Sequence, residues 1–190
     1  SSIAPLCRWI EEENKTQGNC LVSPGGENPA PKGFNFKKIS AEEEAYWKDY
    51  AGRHIPRPYP GIREMLEEQR RRGGLITVVS HSFSDNIRRD YAAGGLPEPD
   101  QIYGWEYPAD QRKPSPWPLQ KIMETTGLPA EALLVVDDLK PGYDMAKAAG
   151  VPFAAAGWAN DIPPIERFMR EHCGLYFKTV AELRHYLFGD

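Results

Sequence analysis

From Pro58 onward the chain repeats one pattern: a stripe of apolar residues at helical spacing, then a short unbroken apolar run. Gly61–Arg72 carries Ile62, Met65 and Leu66 on one face, and Gly73-Gly74 separates it from the β-branched run Leu75–Val79. The pattern then predicts a helix over Asp85–Ala93, a strand over Gln101–Trp105, and a helix over Pro116–Thr126 with Leu119, Ile122 and Met123 inward. Leu133–Val136 reads as the clearest buried strand. A helix over Tyr143–Ala149, a strand over Val151–Ala156, a helix over Ile165–Glu171, the short run Leu175–Phe177 and a closing helix over Val180–Leu187 complete the series. Strands alternating with helices at this spacing imply βαβ units, so the expected class is α/β, a three-layer Rossmann-like parallel sheet with helices on both faces.

The first third reads differently. Ile3, Leu6, Cys7 and Ile10 fall at helical spacing, and Ser40 is a plausible N-cap for a second helix carrying Ala45, Tyr46, Trp47 and Tyr50. Between them Gly18, Pro24, Gly25, Gly26, Pro29, Pro31 and Gly33 crowd one stretch, which predicts a long irregular connection over about 15–38. The expected organisation is therefore a small helical lobe over 1–57 and an α/β core over 58–190.

Composition narrows the function. With Lys+Arg 23 against Asp+Glu 27 the formal net charge is -4, without the basic footprint of a nucleic-acid binder. No apolar run approaches the roughly 18 residues of a membrane helix, so a soluble protein with no membrane partner is expected. Three widely spaced cysteines (Cys7, Cys20, Cys173) indicate neither a disulfide framework nor a zinc site, and a reducing, cytoplasmic setting fits them best.

In an open parallel sheet, ligands bind beyond the carboxyl ends of the strands. Ser80-His81-Ser82 follow Val78-Val79 there, Asp137-Asp138 follow Val135-Val136, and Lys113 precedes the helix at Pro116. A hydroxyl, a lysine and two carboxylates on one sheet edge are an inventory for holding a phosphoryl group and a hard divalent cation. Each piece has an ordinary reading as well. Ser80 reads as a helix cap, although Ser82 or Ser84 can supply that cap, and Lys113 reads as a solvated charge. Asp137-Asp138 resists the ordinary reading, because adjacent carboxylates after an apolar strand repel one another unless a cation or hydrogen-bond donors hold them.

Taken in order, Val78-Val-Ser80, Lys113-Pro-Ser-Pro116 and Leu134-Val-Val-Asp137-Asp138, with Ala146, Ala149 and Gly150 downstream, resemble motifs two, three and four of the haloacid dehalogenase superfamily. The resemblance covers about 58–190, and its Lys-Pro-x-Pro form is most similar to the phosphoglycolate phosphatase and β-phosphoglucomutase branch, in which a helical cap is inserted after motif one. It implies that Ser80, assisted by backbone N–H groups at His81 and Ser82, binds the transferring phosphoryl oxygens. It further implies that Lys113 neutralises phosphate and nucleophile charge, and that Asp138 with Asp137 holds Mg2+. The implied activity is Mg2+-dependent hydrolysis of a small phosphorylated metabolite through an aspartyl-phosphate. Two departures stand out. Gly142 occupies a place where relatives with a Gly-Asp form carry a second acidic residue, and His81 stands where many relatives have Asn.

The largest departure is motif one, Asp-x-Asp-Gly, which the 190 residues do not contain; the only aspartate before Ser80 is Asp49. Ser1-Ser2-Ile3-Ala4 resembles the point where the cap opens, so the expectation is a chain that begins just downstream of motif one and has no phosphatase activity by itself. In the superfamily that motif lies on a central strand, here expected to be absent from between Leu75–Val79 and Leu133–Val136. A non-catalytic binding or regulatory protein naturally lacking the nucleophile is the alternative from another class. Carbon–halogen hydrolysis is a further enzymatic one, disfavoured because dehalogenases use no metal and the Asp137-Asp138 pair argues for one.

Overall fold

The computed structural model describes residues 55–159 and 161–189, together with Ala45, Tyr46, Asp49, Gly52 and Arg53. The chain divides between His54 and Ile55. Those five isolated positions are helical, and Arg53 pairs with Asp49 one turn before it. The helix expected at Ile3–Glu13 and the irregular segment over 15–38 lie outside the described residues.

Within the second unit the helices are α1 (Ile62–Arg71), α2 (Ser84–Ala93), α3 (Trp117–Thr126), α4 (Lys140–Ala149), α5 (Pro163–His172) and α6 (Val180–Phe188). The strands are β1 (Thr77–Val79), β2 (Gln101–Tyr103), β3 (Val135–Asp137), β4 (Phe153–Ala156) and β5 (Leu175–Phe177). Every element expected from Pro58 onward is present, most with ends within two or three residues of those read from the pattern. Turn chemistry sets several of the boundaries: α3 stops at Gly127, whose φ of 71° is left-handed and costs little only for glycine.

All strand pairs are parallel. β1 pairs with β2, aligning Val78 with Ile102, while β3, β4 and β5 form a second sheet in that order, aligning Val136 with Ala154 and Ala155 with Tyr176. Among the described residues no strand pairs with the second edge of β1 or of β3, so the two sheets are not joined by a hydrogen-bonded ladder.

Side chains alternate across the strands, and each face has its own helical cover. On one face Val135 and Phe153 join Leu119 and Ile122 of α3 and Met145 and Ala146 of α4, and Ala155 meets Met169 of α5. On the other, Leu134 and Phe177 pack on Met65 of α1 and on Val180 and Leu183 of α6. Tyr103 and Val79 belong to the α3–α4 cluster, so this core also connects the two sheets.

The reading of Leu133–Val136 as a wholly buried strand needs correction. β3 starts two residues later and ends on Asp137, and Val136 is 40% exposed. Its side chain shares a face with Leu134 but sits at the carboxyl half of a strand paired on one side only among the described residues, beyond the cover of α1 and α6. An all-apolar run does not distinguish burial on both faces from burial at one end.

Candidate active site

Three chain segments meet at the carboxyl ends of β1 and β3. The first leaves β1 at Ser80, whose N–H still donates to the Tyr103 carbonyl (2.9 Å), extending the β1–β2 ladder by one bond. The chain then turns: Ser82 N–H donates to Ser80 Oγ at 3.0 Å, and Trp105 N–H donates to the Ser82 carbonyl at 2.9 Å. Ser80 Oγ is thereby fixed as an acceptor from its own loop, leaving its O–H proton to donate elsewhere.

The second segment runs from Ala109–Gln111, a single 3-10 turn, to Lys113 and α3. Lys113 Nζ lies 2.6 Å from Asp137 Oδ2, with the two side chains only 14% and 12% exposed. His81 Nε2 lies 3.0 Å from the Lys113 carbonyl oxygen, a bond in which the imidazole N–H donates, and this contact ties the loop after β1 to the lysine loop.

The third segment is Asp137-Asp138 and the start of α4. Leu139 N–H donates to Asp137 Oδ1 at 3.0 Å, so one carboxylate oxygen is held by the backbone entering α4 and the other by the lysine. Gly142 explains how the carboxylate lies so close to the first turn of that helix. A Cβ at this position would fall 2.4 Å from the Asp137 carboxyl carbon, well inside contact distance. The position at which an additional acid was considered is thus the floor under Asp137. Asp138 borders a different space, a small pocket at the carboxyl end of β4 formed with Ala155, Ala156, Gly157, Glu166 and Tyr176.

The contacts therefore link the loop carrying Ser80, His81 and Ser82 to Lys113 and Asp137, whereas Asp138 flanks the group on the β4 side. Two sequence expectations change. Ser82 N–H points at Ser80 Oγ rather than standing ready for a ligand. Neither Ser82 nor Ser84 caps α2 by its side chain: the N-cap is Phe83, and Glu106 from the loop after β2 accepts from Ser84 N–H (3.2 Å) and from the Ser84 hydroxyl. Burial raises the Glu106 carboxyl, but the Ser84 bonds, a bond from its own backbone N–H and the charge of Arg88 together hold the group below the usual glutamate range. This remote cap left no local signal, since Glu106 and Ser84 are separated by a whole strand and helix.

Trp105 is the other residue whose role sequence left open. The Arg112 guanidinium lies over its ring, 3.8 Å from the centroid, and donates to its carbonyl at 3.2 Å, while the His81 ring meets it edge-on at 5.8 Å. Tyr107, next along, packs with Tyr103 and Trp117 in the core.

Residues 29–156 match the family described as haloacid dehalogenase-like hydrolase. The chain belongs to the haloacid dehalogenase-like hydrolases. Among curated relatives of this haloacid dehalogenase-like chain, a phosphoglycolate phosphatase of Mesorhizobium japonicum is 28% identical over 68% of the chain and 53% of the relative. One from Rhodospirillum rubrum is 31% identical over 56% of the chain and 44% of the relative. The chain thus spans about half the length of the curated relatives it matches. A haloacid dehalogenase-like family hydrolase from Streptococcus pneumoniae shares the fold at a TM-score of 0.67, with 15% identity over 97% of this chain and 90% of that one. CbbY from Rhodobacter sphaeroides, solved in complex with phosphate, does so at 0.60, with 17% identity over 94% and 72%. The likeness of the haloacid dehalogenase-like chain to these proteins is accordingly one of family as well as of fold.

Proposed function

We propose that this chain is part of a phosphatase acting on a small phosphorylated metabolite, with Ser80, His81 and Lys113 binding the phosphoryl group and Asp137 and Asp138 forming the acidic side of the site. The Lys113–Asp137 pair carries the reading: a mostly buried cation is held at the carboxyl edge of a parallel sheet, on a loop bonded through His81 to the segment bearing Ser80. Phosphoryl transfer asks chiefly for positioned positive charge and hydrogen-bond donors around the equatorial oxygens. Lys113 supplies the charge. Ser80 O–H and the backbone N–H of His81 supply the donors, and Ser82 sets the Ser80 hydroxyl direction. Names of relatives such as phosphoglycolate phosphatase support a phosphate monoester as substrate.

The donor set fits Mg2+ in kind, because Asp137 and Asp138 offer hard carboxylate oxygens. It is short in number: no group of three or more His, Cys, Asp or Glu side chains gathers among the described residues. Mg2+ held there would offset charge on the transferring group. The nucleophile in this reading is an aspartate of motif one, a motif absent from the 190 residues, and the chain by itself is inactive. No helix among the described residues is long and apolar enough to cross a membrane.

The test is phosphate release from 2-phosphoglycolate and p-nitrophenyl phosphate, with and without Mg2+, by the 190-residue chain and by a version extended to carry motif one. Hydrolysis confined to the extended protein and lost in its Lys113→Ala variant is expected. Mg2+-dependent turnover by the 190 residues alone, or an extended protein indifferent to Lys113, would falsify the assignment.

A further inference from the structure

The lysine loop holds two consecutive cations, and only one is neutralised. Lys113 pairs with Asp137, whereas Arg112 has no carboxylate partner among the described residues: its neighbours are the Trp105 ring and the Trp105 carbonyl. Nearby acids do not compensate. The Glu106 carboxylate is turned back onto Ser84, and Asp110, on the 3-10 turn, makes no ion pair with the guanidinium. One hydrogen bond to a carbonyl engages one of five N–H donors, and stacking on an indole leaves the guanidinium edge available for a planar or tetrahedral oxyanion. Stacking also restricts the arginine to one orientation, lowering the ordering cost of a bound anion.

The same indole carries His81 at its edge, and His81 is bonded to the Lys113 carbonyl and adjoins Ser80. Arg112, Trp105 and His81 are therefore one series of contacts, which reaches the Lys113 carbonyl and the residue after Ser80. Resting on the function proposed above, we infer that Arg112, stacked on Trp105, forms a second anion subsite that takes a non-transferring oxyanion of the substrate. The substrate class is then a phosphate monoester carrying a second negative group, either a carboxylate or another phosphate. A neutral leaving group would leave Arg112 without a counter-charge.

Binding measured by calorimetry on the 190-residue chain tests this without turnover. Ethyl phosphate reads the phosphoryl end alone; 2-phosphoglycolate and 1,3-propanediol bisphosphate add a carboxylate or a phosphate. At least one of the two dianion-type probes should bind about tenfold more tightly than ethyl phosphate, and which one does identifies the second group. Arg112→Gln should abolish that preference while leaving ethyl phosphate within about twofold of wild type. Trp105→Leu should abolish it too, and Trp105→Phe, which keeps a stacking ring, should retain part of it. A preference that survives Arg112→Gln, is absent from wild type, or falls together with ethyl phosphate affinity overturns the subsite. Should ethyl phosphate and inorganic phosphate both fail to bind, the phosphoryl-end assignment is what has failed. The subsite then stands only if 2-phosphoglycolate or the bisphosphate still binds in an Arg112-dependent way, and otherwise falls with it.

Discussion

The two ends of the parallel sheets each carry an ion pair of the same length, and the two pairs have different surroundings. At the amino end Arg70 Nη1 lies 2.6 Å from Asp100 Oδ2, and that oxygen also accepts from Ile76 N–H at 2.8 Å. The Asp100 N–H donates back to the Ile76 carbonyl, and Arg70 donates to the Glu98 carbonyl as well. Everything in this cluster closes on backbone that sets β1 beside β2. At the carboxyl end the Lys113–Asp137 pair is equally short but less exposed, and it joins a loop to a strand of the other sheet. Its lysine makes no bond to backbone among its contacts, and its aspartate sits over a helix that only a glycine allows so close. An ion pair tied to the ladder stabilises the fold. The other joins a loop to a strand end and holds a mostly buried charge there.

Replacing Lys113 should separate these meanings most sharply. In the extended, active protein Lys113→Met is expected to lower kcat by about 10³-fold. Stability should fall by about 1–3 kcal/mol, because Asp137 is left mostly buried without its cation. Adding Asp137→Asn should restore most of the stability, read by urea denaturation, and none of the activity. A double variant that stays as unstable as the single one would mean that the carboxyl-end pair is architectural after all.

Gly142→Ala comes next. In a helix interior this change ordinarily stabilises by about 0.5–1 kcal/mol. Here the added Cβ would meet the Asp137 carboxyl, so a loss of about 1–3 kcal/mol is expected from the overpacking, together with weaker phosphate binding. A gain in Tm would show that the Asp137 carboxyl can make room for the added Cβ.

Asp100→Asn should cost about 1 kcal/mol, since the pair is near the surface and about a third exposed, and should leave phosphate binding unchanged. Burial pushes the Asp100 carboxyl upward, but the Ile76 N–H and the Arg70 guanidinium outweigh it and hold the group below the ordinary aspartate range. Its contribution is therefore complete above the unfolded value of about 3.9 and is lost as pH falls through the lower native one. Urea midpoints of wild type and variant should converge in that acid range. The smallest effect is expected from Ser84→Ala, about 0.5–1 kcal/mol for loss of the bond to the Glu106 carboxylate, with that carboxyl rising toward its ordinary value by NMR titration.

Periodicity made the βαβ series legible because helices and strands here bury simple stripes and runs, and breakers such as Gly73-Gly74 and Gly127 mark their ends. The positions of the candidate residues were legible for a topological reason, since Ser80 and Asp137 fall at the carboxyl ends of parallel strands. Their partners were not. Asp137 is held by a lysine 24 residues upstream, Ser84 by a glutamate 22 residues downstream, and Arg112 by an indole seven residues earlier across a turn. Such choices depend on how loops cross one another after the strands have paired, which no local pattern encodes. Val136 failed for the same reason: burial of its face depends on how far α1 and α6 reach.

The arrangement of two short ladders has a consequence for the order in which the molecule assembles. Among the described residues every strand partner is the next strand in sequence, with Thr77 beside Gln101, Val135 beside Phe153 and Ala154 beside Leu175, so each ladder closes over one helical crossover. Each pairing waits on a helical crossover and is slow for that reason, but neither sheet needs the other for its hydrogen bonds. The cluster that holds both Tyr103 and Met145 and the Lys113–Asp137 pair span the two halves and are completed only when the halves dock. The proposed phosphoryl site is then completed late in folding. In pulsed hydrogen exchange the β4 amides should gain protection before phosphate affinity appears, and simultaneous appearance of both would show that the sheets form as a single unit.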